Sequence, residues 1–142
     1  MKSIATLIAS LFVTVSLAQT KPVTTPPASK ATTTAVKSPG QTIYEQHCLT
    51  CHQANGSGVP NLNPPLRNVD WVTGDKTRLI NVLLKGLQGQ EIDGETYDNV
   101  MPAHDFLTDQ QLADVLTYIR SSFGNKASEI KPEEVKALRG KK

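Results

Sequence analysis

The clearest hydrophobic pattern of the chain lies between Thr108 and Phe123. Apolar side chains recur there at the three- and four-residue spacing of one helical face. They are Leu112, Val115, Leu116, Ile119 and Phe123. Thr108 and Gln111 have the spacing of a capping box, and Gly124 is placed to end the helix. The sequence therefore predicts an amphipathic helix from Thr108 to Phe123.

Two shorter helices are predicted upstream. One begins after Asp75, a residue type that favours the N-cap, and runs to Lys85, where Gly86 would stop it. Its apolar positions are Leu79, Ile80, Leu83, Leu84 and Leu87. The other helix spans residues 42–53. Its buried face would hold Ile43, Tyr44 and Cys48.

The remaining pattern adds only small elements. Glycines and prolines keep residues 54–74 largely irregular. Residues 91–97 predict a tiny hairpin with its turn at Asp93-Gly94. A last short helix is predicted from Pro132 to Leu138, with Pro at its first position and acidic residues in its first turn. The fold class is therefore all-α, with three to four main helices.

The first 40 residues differ from the rest in composition. Residues 1–18 combine Lys2 with an apolar run that ends in small residues, which is typical of a secretory signal peptide. The run is short for a membrane span, although an uncleaved anchor stays possible. Residues 19–40 are rich in Thr, Pro, Ala and Lys, and predict an extended, disordered linker. We therefore expect an exported protein, periplasmic if the source is bacterial, with no lipid anchor.

Charge divides the rest of the chain into two parts. The formal net charge of +2 gives no indication of nucleic-acid binding. Residues 41–124 hold five Lys or Arg against ten Asp or Glu, whereas residues 125–142 hold six against three. The sequence thus predicts an acidic domain at 41–124 and a basic C-terminal extension at 125–142. A domain this small buries only a modest core, and a bound cofactor would enlarge it.

The main chemical motif is Cys48-Leu49-Thr50-Cys51-His52. Read as C-x-x-C-H, it is the attachment signature of c-type haem. Each thiol can form a thioether with a haem vinyl group, and the imidazole of His52 can ligate the iron. On a helical turn Cys48 and Cys51 share a face. The sequence therefore predicts one covalently bound haem c.

Three other interpretations of this motif are weaker. A thioredoxin-like redox pair would follow a strand, and nothing upstream resembles one. A zinc site would need a second pair of ligands at regular spacing, and only His47 and His104 are left to supply it. A disulfide between Cys48 and Cys51 would close too small a loop to constrain much of the unfolded chain.

The sixth coordination position of the iron needs a second ligand if the haem is to transfer electrons without binding small molecules. Met101, followed by a proline, lies in an irregular loop between two predicted helices. A thioether ligand favours ferrous iron and raises the reduction potential. His104 is the rival ligand, although an exposed loop histidine is the expectation for it. His47 lies beside the attachment site and could not easily reach the opposite face.

With an early C-x-x-C-H motif, a late Met-Pro pair and a final amphipathic helix, the chain resembles the bacterial class I cytochromes c of the small mono-haem type. The resemblance extends from about Gly40 to Gly124. It implies that an N-terminal helix carrying Gly40 and Tyr44 crosses the C-terminal helix near Leu116 and Tyr118, with the haem between them. The segment from Tyr118 to Lys126, followed by a Pro-Glu-Glu-Val helix, is similar to cytochromes associated with periplasmic dehydrogenases.

The resemblance also implies roles around the haem. In that family a loop proline carbonyl accepts the hydrogen bond of the proximal histidine, which fixes the ring and raises its basicity. Pro65 aligns best with this position, and Pro64 is the alternative. Arg67 and Trp71 are candidates for contacts with the haem propionates, since both can donate to a carboxylate.

These observations predict an exported mono-haem electron carrier that is not an enzyme. It would take single electrons from a protein donor and pass them to a protein acceptor, such as a periplasmic dehydrogenase, terminal oxidase or reductase. Two alternatives stay open. One is a cytochrome subunit of a dehydrogenase complex, and the other is a haem peroxidase or gas sensor with an open sixth position.

Overall fold

The computed structural model describes residues 36–141. The predicted signal peptide at 1–18 and most of the predicted linker at 19–40 lie outside these residues. The helices are α1 (Pro39–His47), α2 (Leu49–His52), α3 (Asp70–Thr73), α4 (Lys76–Lys85), α5 (Asp109–Ser121) and α6 (Pro132–Arg139). Between residues 36 and 141 the only β-structure is three isolated bridges, so the all-α prediction is confirmed. No helix in this range has the length and apolarity to cross a lipid bilayer.

The first helix crosses the fifth at Gly40. A Cβ atom built on Gly40 would lie 2.1 Å from the carbonyl oxygen of Asp114 on α5, so only glycine permits this approach. One turn later Tyr44 is 1% exposed, and its ring centroid lies 5.5 Å from that of Tyr118 and 5.2 Å from that of Phe123. The crossing expected from the resemblance is therefore present.

The bounds of the first helix differ from the predicted 42–53. Ser38 caps it by accepting a hydrogen bond from the Gln41 N–H, and Pro39 occupies its first turn, so the helix begins before the predicted Thr42. Cys48 then interrupts it, and α2 continues for one turn to His52. The predicted linker boundary at residue 40 consequently falls inside α1.

The fourth helix follows its prediction closely. Asp75 accepts hydrogen bonds from the Thr77 and Arg78 N–H groups, and Gly86 ends the helix with a φ of 76°. The apolar stripe faces inward, with Leu79, Ile80, Leu83 and Leu84 all buried. The preceding helix, α3, was not predicted, because four residues are too few to show a hydrophobic period.

The fifth helix begins at its predicted capping box but ends earlier than expected. Thr108 and Gln111 exchange both capping hydrogen bonds. The helix stops at Ser121 because Phe123 and Gly124 have φ angles of 58° and 89°, which a right-handed helix does not allow. Phe123 belongs to the aromatic contact with Tyr44 rather than to the helical stripe.

The C-terminal extension packs back onto the domain. Val135 of α6 is fully buried and Ile130 is 4% exposed, against α4 and α5. Arg120 of α5 is 2% exposed and donates to the carbonyl oxygens of Val72, Gly74 and Ser128, which ties the extension to α3. The predicted short helix is therefore present and contributes to the core.

The predicted hairpin is a single bridged turn. Ile92 and Glu95 exchange backbone hydrogen bonds, while Asp93 and Gly94 both have positive φ angles, of 53° and 86°. This is the geometry of a type I′ turn, which the Asp-Gly pair favours. Ile92 is buried and faces the interior of the domain.

Candidate functional site

An apolar cavity of about 720 Å³ lies between α2, α4, α5 and the loops that join them. This figure includes the space at its open mouth, where the cavity meets solvent. Most of its wall is aliphatic: Leu66, Val72, Leu79, Val82, Leu83, Leu87, Ile92, Leu107, Val115, Leu116 and Ile119. Four lining residues could bind a haem or its iron: Cys48, His52, Met101 and His104. A flat, apolar cofactor with few polar atoms fits this lining.

The two thiols occupy the start and the third residue of the α2 turn. Both are free rather than joined in a disulfide. Cys48 is half-buried and lines the cavity, whereas Cys51 is exposed. Burial, with a smaller contribution from Cys51, raises the pKa of the Cys48 thiol to about 11. In the folded chain without haem, Cys48 is therefore a protonated thiol at neutral pH.

His52, the last residue of α2, is buried. Its side chain is 6% exposed, and Nδ1 lies 3.0 Å from the carbonyl oxygen of Pro64. When Nδ1–H donates to this carbonyl, the lone pair of Nε2 is free to bind a metal. Burial lowers the pKa of His52, the Pro64 hydrogen bond partly opposes this, and His104 adds to the lowering. The ring is accordingly held in its neutral, ligand-competent form.

The hydrogen-bond acceptor is Pro64 rather than the predicted Pro65. The loop is held by a hydrogen bond from the Leu66 N–H to the Gly56 carbonyl. Gly58 packs so closely on it that a built Cβ would lie 2.6 Å from the Pro64 oxygen. These contacts fix the register in which the Pro64 carbonyl faces His52, and both prolines line the cavity. Because the two prolines are adjacent, the sequence alone does not identify which carbonyl accepts the hydrogen bond of His52. The tertiary contacts of the loop determine that it is Pro64.

Two backbone hydrogen bonds hold Met101 against Leu87, just beyond the end of α4; we call this pairing the strap. Its backbone N–H and carbonyl pair with the carbonyl and N–H of Leu87, at 2.9 and 3.0 Å. Gly86 lies against this strap, where a Cβ would come 2.5 Å from the Met101 carbonyl oxygen. The half-buried Met101 side chain lines the cavity. We call residues 101–108, from Met101 to the cap of α5, the distal loop.

His104 in the distal loop differs from its expectation, because it is buried. Its side chain is 9% exposed and lines the cavity, and its backbone N–H donates to the Leu83 carbonyl at 2.7 Å. Nδ1 has no hydrogen-bond partner among the described residues. The loop folds inward because α4 supplies an acceptor for its backbone, which the sequence did not reveal. His47 is exposed on α1, with its ring centroid 6.4 Å from that of His104.

The two candidates for propionate contacts have different surroundings. Trp71 of α3 lines the cavity, whereas Arg67 is exposed and is not part of the lining. The guanidinium beside Trp71 is that of Arg78, whose central carbon lies 4.5 Å from the indole ring centre. Arg78 donates to the Asp70 carbonyl, and its Nε is buried without a partner among the described residues. Sequence reasoning missed Arg78, because its approach to Trp71 depends on the packing of α3 on α4.

Comparison with known proteins gives a consistent result. The family model described as Cytochrome c matches residues 38–123. Cytochrome c-552 of Thermus thermophilus is 43% identical over 113 residues, covering 72% of this chain and 86% of that protein. The cytochrome c subunit of the quinone alcohol dehydrogenase of Gluconacetobacter polyoxogenes is 38% identical over 91 residues, 19% of its own length. The gluconate 2-dehydrogenase cytochrome c subunit of Pantoea cypripedii is 35% identical, with 24% of its length covered.

Proposed function

The chain belongs to the cytochrome c family, and on this basis we propose that Cys48 and Cys51 hold its haem in thioether bonds while His52 and Met101 ligate the iron. Haem c is the cofactor of this family, and the chain is an electron carrier. The observation that carries the ligand assignment is the shared cavity. His52, fixed by the Pro64 carbonyl, and Met101, strapped to Leu87, line the same apolar space.

When bound, the haem iron supplies a centre that gains and loses one electron. The chain's own residues set how readily it does so. The Met101 thioether is a soft ligand that favours the ferrous state, and the aliphatic lining keeps water away from the net charge of the ferric state. His52 is held in one orientation by its hydrogen bond to Pro64, so it need not reorient on electron transfer. Together these residues favour a relatively high potential.

The same ligand assignment implies that the protein is not an enzyme. If His52 and Met101 both bound the iron, no coordination position would be left for peroxide, oxygen or carbon monoxide. The strap between Met101 and Leu87, with Gly86 against it, supports a sixth ligand that stays in place. A peroxidase or gas sensor would instead need a displaceable ligand at this position.

Visible spectroscopy of the purified holoprotein tests this assignment. We expect the ferric form to show the long-wavelength charge-transfer band of Met–Fe(III) coordination. We also expect the ferrous form to leave carbon monoxide unbound at neutral pH. A ferric form without the band, together with rapid binding of carbon monoxide or reaction with peroxide, would establish an open site. The His104→Ala variant is the control, since loss of that imidazole should leave the band unchanged.

We also propose that the carrier works outside the cytoplasm between protein partners, one of them a dehydrogenase. The predicted signal at 1–18 supports export, and the similarity to cytochrome subunits of bacterial dehydrogenases supports the partner class. A dedicated subunit of such a complex is the second candidate, because several similar proteins are such subunits.

Fractionation of the native cells separates these two candidates. A free carrier should elute from a periplasmic extract at the size of the single chain. A dedicated subunit should elute with its dehydrogenase activity and resist separation at low salt. Recovery of the covalent haem only in the cytoplasmic fraction would contradict both.

A further inference from the structure

The last residue of α6 contacts the distal loop. Arg139 donates from Nη1 to the Asp105 carbonyl and from Nη2 to the Leu107 carbonyl, both at 2.6 Å. Its Nε donates to a carboxylate oxygen of Asp109, also at 2.6 Å. One guanidinium thus binds three acceptors spread over the end of the distal loop and the start of α5. These residues lie 30 to 34 positions away in sequence.

The outer half of the distal loop, residues 105–108, is held partly by Leu107, which is 5% exposed and whose N–H donates to the His104 carbonyl. Its inner half is fixed by the pairing of Met101 with Leu87 and by the hydrogen bond from His104 to Leu83. Beyond His104, Phe106 is 64% exposed, and no other donor in the described part of the chain binds the Asp105 or Leu107 carbonyls. Arg139 is therefore the side chain that ties the backbone of this outer half to α6.

The geometry suits arginine specifically. A planar guanidinium presents donors in several fixed directions, whereas a lysine ammonium is a flexible point charge that cannot span three acceptors at once. Arg139 also lies in the last turn of α6 and Asp109 in the first turn of α5, so each charge is favoured by its helix dipole. Arg139 and Asp109 side chains are 32% and 28% exposed, which leaves the pair only partly screened by water.

We propose that Arg139 is a positioning residue for the sixth ligand of the iron. It holds the distal loop against the domain, so that the Met101 side chain keeps lining the cavity and the loop does not open outward. This proposal rests on the proposed ligation by Met101. It assigns a role in the redox site to the C-terminal extension, which lies beyond the residues 38–123 that match the family model.

The test uses the ferric holoprotein and imidazole as the probe, because imidazole binds the iron only when Met101 has left it. In the Arg139→Ala variant we expect the apparent Kd for imidazole to fall about tenfold, since the open state becomes more populated. We also expect the Met–Fe(III) band to disappear at a temperature lower by about 5 °C or more. The helical circular dichroism should persist beyond the loss of the band.

A matched control separates positioning from general stability. Lys76 of α4 donates to the carboxylate of Glu134 on α6, the helix that carries Arg139, at 3.2 and 3.3 Å. Lys76→Ala removes this ion pair and, like Arg139→Ala, deletes one positive charge. It should leave imidazole affinity unchanged, and Arg139→Lys should fall between the wild type and Arg139→Ala. If both alanine variants shift imidazole affinity equally, or neither does, Arg139 has no positioning role.

The outcome for the wild type distinguishes the two proposals. A wild-type protein without the Met–Fe(III) band would overturn ligation by Met101 itself. A wild-type protein with the band, and an Arg139→Ala variant that binds imidazole with unchanged affinity, would overturn only the role of Arg139. If Arg139→Ala fails to accumulate as holoprotein, Arg139→Lys supplies the same measurement with the charge retained.

Discussion

Replacement of Met101 by alanine is expected to abolish the Met–Fe(III) band and to lower the reduction potential by about 100 mV or more, while the haem stays covalently attached. The thioether is the ligand that favours ferrous iron, so its loss stabilises the ferric state. For a one-electron couple, 59 mV corresponds to a tenfold change in the equilibrium constant. Redox titration and the ferric spectrum measure both effects, and a denaturing gel stained for haem verifies attachment.

His104 decides what replaces the thioether in that variant. It is a buried imidazole that lines the same cavity, three residues after Met101. We expect Met101→Ala to become low-spin with nitrogen ligands, and the Met101→Ala/His104→Ala double variant to become high-spin. Electron paramagnetic resonance distinguishes the two states. An unchanged potential in Met101→Ala would mean that the thioether is not the ligand.

Replacement of Gly40 by alanine is expected to lower the free energy of unfolding by about 2–4 kcal/mol. The added Cβ would lie 2.1 Å from the Asp114 carbonyl oxygen and 2.8 Å from the Tyr118 Cβ, so α1 and α5 must move apart. Neither obstacle is a flexible side-chain end that could rotate away. The gain in helix propensity from glycine to alanine, about 1 kcal/mol, offsets only part of this cost.

Denaturant unfolding of the holoprotein, followed by circular dichroism, measures the effect of Gly40→Ala. Gly140→Ala is the matched control, because a Cβ at Gly140 would meet nothing within 4 Å and the residue lies at the end of α6. That variant should stay within about 0.5 kcal/mol of the wild type. Equal stability of the two variants would show that the helix crossing tolerates a side chain.

The parts of the fold that follow from local chemistry could be predicted from sequence. The capping box of Thr108 and Gln111 and the cap at Asp75 mark the starts of α5 and α4 correctly, because these signals act within one turn. The Asp93-Gly94 turn follows from the tolerance of both residues for positive φ. The C-x-x-C-H motif likewise indicated haem c from five residues.

The parts that depend on distant contacts could not be predicted. The choice of Pro64 over Pro65 depends on Gly56 and Gly58, whose loop contacts have no sequence pattern. The burial of His104 depends on the Leu83 carbonyl in the last turn of α4, which accepts the His104 backbone N–H. The stacking of Arg78, rather than the exposed Arg67, on Trp71 depends on the packing of a helix too short to predict.

The crossing of α1 with α5 has a consequence for how the protein is made. The segment from Cys48 to His52 directly follows α1, and the surface that covers α1 comes from Asp114 to Phe123. Such sequence-distant pairing delays folding until late in synthesis. The nascent chain must therefore emerge beyond residue 123 before the domain can close. During that interval both thiols are accessible on an unfolded segment, which gives covalent attachment of the cofactor a time window ahead of folding.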